Sequence, residues 1–157
     1  MSEALKPLID AGWLEEQPTS AEEVRGLLGI VERRLDELRG SLKYPDSIFT
    51  LAYDAVRCTA TVVLRAYDLR VKHSRHHEMT FEALHRLAIP KVSDRARYYD
   101  ACRRKRSTLE YDSAGDVSNA EAEDLRGEAA RFAAAVREWL SSAHPELVVA
   151  RSDQVGT

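Results

Sequence analysis

Between positions 24 and 42, the apolar residues Val24, Leu27, Leu28, Val31, Leu35, Leu38 and Leu42 recur three or four positions apart. A helix turns every 3.6 residues, so this spacing gathers them on one side; a strand would scatter them over both faces. A helix of about six turns with such a stripe must bury it against partners. Residues from about 47 to 70 show the same pattern, with Ile48, Leu51, Ala55, Cys58 (or Thr59), Val62, Ala66 and Leu69 inward. Ala52, Val56 and Val63 widen that stripe, which makes this the most buried helix expected. Ala122, Leu125, Ala129, Phe132, Val136, Trp139 and Leu140 mark a third. With few glycines and no long β-branched runs, the expected fold is all-α, an antiparallel bundle of four long helices plus short ones.

Punctuation residues set the expected boundaries. Residues 2–13 can form a short leading helix, broken near Pro7 and ended by Gly12-Trp13, and Pro18-Thr19-Ser20 reads as a linker. Ser20 with Glu23 and Ser118 with Glu121 have the spacing of capping boxes that open the first and last long helices. Tyr44-Pro45-Asp46 stops the first, because a residue before proline is pushed out of the helical region. A loop is expected at 71–77, a short helix at 80–88 with Phe81, Leu84 and Leu87 inward, and a further helix at 94–111 capped by Ser93. Ser113-Ala114-Gly115-Asp116 is a turn cluster. The chain thus reads as one domain over 1–145, with a flexible tail at 146–157.

Composition excludes several classes. The net charge is −3, so any polyanion must be met by a local patch and not by bulk charge. Two cysteines far apart in helical patterns suit a reduced, cytoplasmic protein. Lys6, Pro7 and Asp10 interrupt the start of the chain, so no signal peptide is expected, and no apolar run suggests a membrane span.

The chemistry concentrates in Arg103-Arg104-Lys105-Arg106-Ser107-Thr108-Leu109-Glu110-Tyr111-Asp112. Tyr98, Cys102, Arg106 and Leu109 share one helical face, and Tyr99, Arg103, Arg106 and Glu110 form its neighbour. Arg106 lies on both stripes and is the cation expected to point inward, where it needs a carboxylate or an external phosphate. Asp54 of the second helix and Glu110 are candidate internal partners. Cations near a helix end also favour the dipole, so Arg103, Arg104 and Lys105 have a purely structural reading too. Tyr111 falls about 140° round the wheel from Arg106, so the two meet only if the helix end loosens or another chain supplies a wall.

These residues resemble the HEPN superfamily of small all-helical domains. The resemblance covers nearly the whole chain. It includes Leu8-Ile9-Asp10-Ala11-Gly12-Trp13-Leu14, Ala52-Tyr53-Asp54-Ala55-Val56-Arg57 and the His76-His77 pair, and it is strongest over 103–112. There Arg106 matches the arginine of the family's late motif, Ser107 stands where asparagine is usual, and Tyr111 stands where histidine would be. The resemblance implies a bundle of four or five helices, usually a homodimer. It also implies, for ribonuclease members, an arginine that holds the scissile phosphate and a histidine that assists attack by the 2′-hydroxyl without metal. Other members pair with nucleotidyltransferase partners in toxin–antitoxin systems or act as binding modules.

The exchange of histidine for Tyr111 matters chemically. A base working near pH 7 needs a pKa near 7; histidine's is about 6.5 and tyrosine's about 10. The chain keeps an anion-binding arginine and replaces the evident proton acceptor. The expected site is therefore Arg106 and Tyr111, assisted by Arg103, Arg104, Ser107, His77 and Asp54, binding RNA or a nucleotide. A metal-independent ribonuclease and a purely structural interaction module are the alternatives. No cofactor is expected. His73, His76, His77 and His85 lack the spacing and the cysteines of a zinc set, so no metal is expected either. One of the paired histidines can instead offer a neutral imidazole beside the basic helix, or simply pack the loop. Arg57 and Arg65 read as solvated or surface-paired.

Overall fold

Each long stripe finds a partner in the computed structural model, which describes residues 3–73, 77–111 and 116–148 (the side chains of residues 110 and 111 lie outside the description). After a single 3-10 turn at Glu3–Leu5 comes α1 (Lys6–Asp10), then a short strand β1 (Leu14–Glu16) and the long α2 (Ala21–Arg39). Then follow α3 (Pro45–Ala66), β2 (Leu69–Val71), α4 (Glu78–Leu87), α5 (Ala96–Tyr111) and α6 (Asn119–Ala143). The fold is all-α, with four long helices as the sequence implies.

α3 is the central helix. It packs against α2, α4, α5 and α6, and a wide face is buried, including Phe49, Ala52, Val56, Ala60 and Val63, while Asp54, Arg57 and Thr61 stay partly exposed on the other side. It is also the one described helix long and apolar enough to cross a membrane, which the sequence reading did not flag; 61% of its most apolar stretch is buried inside the bundle. Both expected caps form. Ser20 accepts from the Glu23 backbone N–H, and Ser118 and Glu121 make the full reciprocal box.

Three local expectations are corrected. The second long helix does not reach residue 70. It ends at Ala66, where Asp68 turns the chain through a left-handed conformation (φ 58°), and Leu69–Val71 pair antiparallel with Leu14–Glu16. Strands of three residues are too short to show alternation, so neither was visible in the sequence. Ser93 does not cap α5. Its hydroxyl donates to the Leu84 carbonyl (2.5 Å) and accepts from the Ile89 N–H (2.9 Å), which fastens the α4–α5 corner instead. Where a tail was expected from 146, Pro145–Val148 form a 3-10 turn and Leu147 is buried in the core.

Arg65, read from sequence as a surface residue, is 3% exposed. Its five N–H groups make five bonds. Two go to the Glu23 carboxylate (2.9 and 3.1 Å), and the others to the carbonyls of Gln17, Pro18 and Leu69. A buried guanidinium is tolerated only when paired and fully bonded, and here that need ties the ribbon, the 17–20 linker and the start of α2 to α3.

Candidate functional site

The basic run is sorted by its neighbours. Asp100, one turn earlier on α5, accepts from Arg103 Nε at 2.7 Å and also pairs with Arg104. Lys105 pairs with Glu121 at the start of α6 (2.9 Å). These three cations therefore have the structural roles that the sequence allowed them. Their pairs are partly exposed, of the kind worth at most about 1 kcal/mol each.

Arg103 and Arg106 nonetheless open into a cleft of about 180 Å³ between α3, α5 and the start of α4. Tyr53, Asp54 and Arg57 come from α3, where spacings of one, three and four residues put them on one side of the helix. His77 and Glu78 come from the first turn of α4, and Ser107 from α5. Of the residues expected from sequence, the cleft brings together Arg106, Arg103, Ser107, His77 and Asp54. Arg104 lies on another side of α5 and lines a different surface. Tyr111 and His76, also singled out from sequence, lie outside the described side chains.

Sequence reasoning missed Arg57, Tyr53 and Glu78. For Arg57 the signal was present: it follows Asp54 by three residues and so faces the same way. Three arginines from two helices thus line one small cleft, and Asp54 and Glu78 only partly offset them.

Two further groups respond to that field. Burial, reinforced by Arg57, lowers the His77 pKa; Glu78 opposes this, and Arg103 and Arg106 add to the depression. An imidazole below its usual value of about 6.5 is neutral at pH 7, with one nitrogen able to accept a proton. Burial pushes the Tyr53 phenol up to about 12, although Arg57, Arg103 and Arg106 pull it down. Tyr53 therefore remains a hydroxyl donor. The cleft can offer an anion three guanidinium groups, two hydroxyls and an uncharged imidazole. Among the described residues, no group of three or more His, Cys, Asp or Glu is placed to hold a metal ion.

Behind the cleft, α5 is anchored by Tyr99, which is fully buried and donates to Glu128 Oε1 of α6 at 2.8 Å. Burial pushes the Glu128 carboxyl up, but hydrogen bonds from Arg131 and Tyr99 outweigh it and hold the group below its ordinary value. Cys102 faces the same interior. Burial raises its thiol to about 11, which leaves it inert.

The sequence model of the SAV_6107-like HEPN family matches residues 41–137. The matched segment contains every residue that lines the cleft. No curated protein and no solved structure matches the chain.

Proposed function

Because the chain belongs to the SAV_6107-like HEPN family, we propose that the cleft between α3, α4 and α5 binds a phosphate of RNA or of a nucleotide. The observation that carries this reading is the convergence of Arg57, Arg103 and Arg106 on one 180 Å³ cleft in a chain of net charge −3. Like-charged groups at close quarters repel, and an arrangement that costs stability without a ligand becomes favourable when an anion bridges it. Arg106 and Arg57 supply charge, Ser107 and Tyr53 supply hydroxyl donors, and Arg103 is steadied by Asp100. The biological setting we propose is a homodimer working within a toxin–antitoxin pair, with a nucleotidyltransferase-type partner; the family likeness supports it.

The test is binding of a short oligoribonucleotide and of inorganic pyrophosphate to the purified chain. Charge-assisted hydrogen bonds are worth about 1.5–3 kcal/mol, so Arg106→Ala should weaken both by about ten- to a hundredfold. The wild-type affinity should also fall as salt rises. Unchanged binding in Arg106→Ala and Arg57→Ala would sink the assignment.

His77 favours a second reading, metal-independent RNA cleavage. It places a neutral proton acceptor in the same cleft, where the sequence alone offered Tyr111. Cleavage in EDTA that disappears in both Arg106→Ala and His77→Gln would support it, and cleavage that survives in them would assign the activity elsewhere.

A further inference from the structure

Beside the phosphate cleft lies a second, larger one of about 420 Å³, between the N-terminal lead, α4 and α5. Leu8, Met79 and Trp13 give it an apolar lining, and Arg86, Arg97 and Arg104 line it as well. The two clefts adjoin. Glu78 lines both, and Asp100 holds Arg103 of the first and Arg104 of the second. Among the described residues they present six arginines against four carboxylates, a cationic band on a molecule of net charge −3.

Trp13 stands out on this band. At 39% it is one of two large hydrophobic side chains that remain exposed among the described residues. Its exposure is built in. Gly12 takes a left-handed turn (φ 83°), the Trp13 N–H donates to the Leu8 carbonyl at 3.0 Å, and the Trp13 carbonyl accepts from Lys72 N–H at 3.0 Å. These bonds fix the backbone that presents the ring at the surface, so little main-chain freedom is lost on binding. In the second cleft, Arg86 is tied to Glu82 and Arg104 to Asp100, whereas Arg97 lies exposed with its Nη2 3.1 Å from His85 Nε2. Trp13 lies before the segment that the family model matches, in the N-terminal lead.

An aromatic face next to a row of cations is what single-stranded nucleic acid requires: the cations follow the backbone, and every base has a π-face to stack. We propose that the second cleft is a base-stacking subsite, in which Trp13 takes a base of a single-stranded RNA whose neighbouring phosphate sits among Arg57, Arg103 and Arg106. Arg97 contacts the next backbone phosphate. The proposal rests on the phosphate cleft acting as proposed above, and adds the strand form and the direction in which the strand leaves it.

The test titrates the purified chain with a single-stranded oligoribonucleotide, its duplex and inorganic pyrophosphate, reading affinity and tryptophan fluorescence. The single strand should quench the fluorescence of wild type and of Trp139→Phe, and no longer that of Trp13→Phe. Trp13→Ala and Arg97→Ala should each weaken the single strand by about tenfold while pyrophosphate binding stays unchanged. Arg97 is an exposed surface side chain, so its variant keeps the test available should Trp13→Ala fold poorly. If both variants bind the single strand as wild type does while Arg106→Ala still weakens it, the subsite is wrong and the phosphate cleft stands. Duplex bound as tightly as single strand, without quenching, also overturns the subsite. If wild type binds neither RNA nor pyrophosphate, both assignments fall.

Discussion

Arg65 and Glu23 meet fork to fork, Nε to Oε1 at 2.9 Å and Nη2 to Oε2 at 3.1 Å, and join helices 42 residues apart in sequence. The Arg65 hydrogen bonds are the largest influence on the Glu23 carboxyl and hold its pKa below the ordinary 4.5, against a smaller desolvation effect. A depressed carboxyl contributes stability that is present above its unfolded pKa and lost as pH falls through its folded one. Acid unfolding should therefore begin as the medium drops below about pH 4.5. Arg65→Met should cost on the order of 3 kcal/mol, because it strips donors from three carbonyls and a carboxylate. Glu23→Gln should cost less and make the acid limb shallower. Chemical denaturation at pH 7 and pH 4 measures both; an Arg65→Met variant as stable as wild type would refute the clamp.

Tyr99→Phe removes one buried hydroxyl and leaves Glu128 with its Arg131 partner. The expected cost is about 1–2 kcal/mol, with the far-ultraviolet circular dichroism unchanged. Glu128→Ala should cost more, since it orphans the buried Tyr99 hydroxyl. Urea melts of the two variants and of the double variant would measure the coupling, which should vanish if the 2.8 Å bond is not formed in solution.

Asp100→Asn removes the carboxylate that restrains Arg103 and Arg104. The pairs are partly exposed, so stability should change by no more than about 0.5–1 kcal/mol. Affinity for an oligoribonucleotide should rise several-fold at low salt, and the salt dependence should steepen, because two arginines become available to phosphate. A loss of affinity would mean that Asp100 positions Arg103 for the ligand.

His77 should couple binding to protons. In the free cleft its pKa is lowered by burial and Arg57, with Arg103 and Arg106 adding; Glu78 opposes them, and Asp54 and Tyr53 share the cleft. A bound phosphate offsets the arginines and favours the imidazolium, so binding takes up a proton. Affinity for a phosphodiester, which does not itself titrate here, should rise several-fold as pH falls from about 7.5 to 5.5 across the usual histidine value. His77→Gln should flatten the profile. A slope equally steep in that variant would place the titrating group elsewhere.

Much of the bundle was legible because its helices are amphipathic and capped. Most of the expected positions from Val24 to Leu38, Ala52 to Val63 and Leu125 to Leu140 are buried as their spacing requires, with Leu27, Cys58 and Trp139 packed half-buried against them. What was misread at Arg65 and passed over at Glu128 is charge on the inner stripes. Arg65 follows Val62 by three residues and precedes Leu69 by four, and Glu128 stands three after Leu125 and four before Phe132. A charged residue at such a position signals a buried pair; Arg131 is within reach of Glu128 on the same helix, but Tyr99 and the Arg65 partner Glu23 are distant in sequence, so spacing identifies the residue and not those bonds. The candidate cleft was half legible for the same reason. The α5 residues stood out as a run of cations, whereas Arg57 acquires its meaning only when α3 and α5 are packed side by side.

That packing makes the phosphate cleft mechanically lopsided. Its α3 side rests on Tyr53 and its buried neighbours, so the backbone that carries Asp54 and Arg57 cannot shift without disturbing the core of the bundle. The opposite side is the opening turn of a ten-residue helix, which begins at Glu78 without a side-chain cap. Backbone adjustment to the shape of a ligand therefore comes more easily from His77 and Glu78 than from α3. The molecule holds its charge on an anvil and leaves the imidazole on the side that can give.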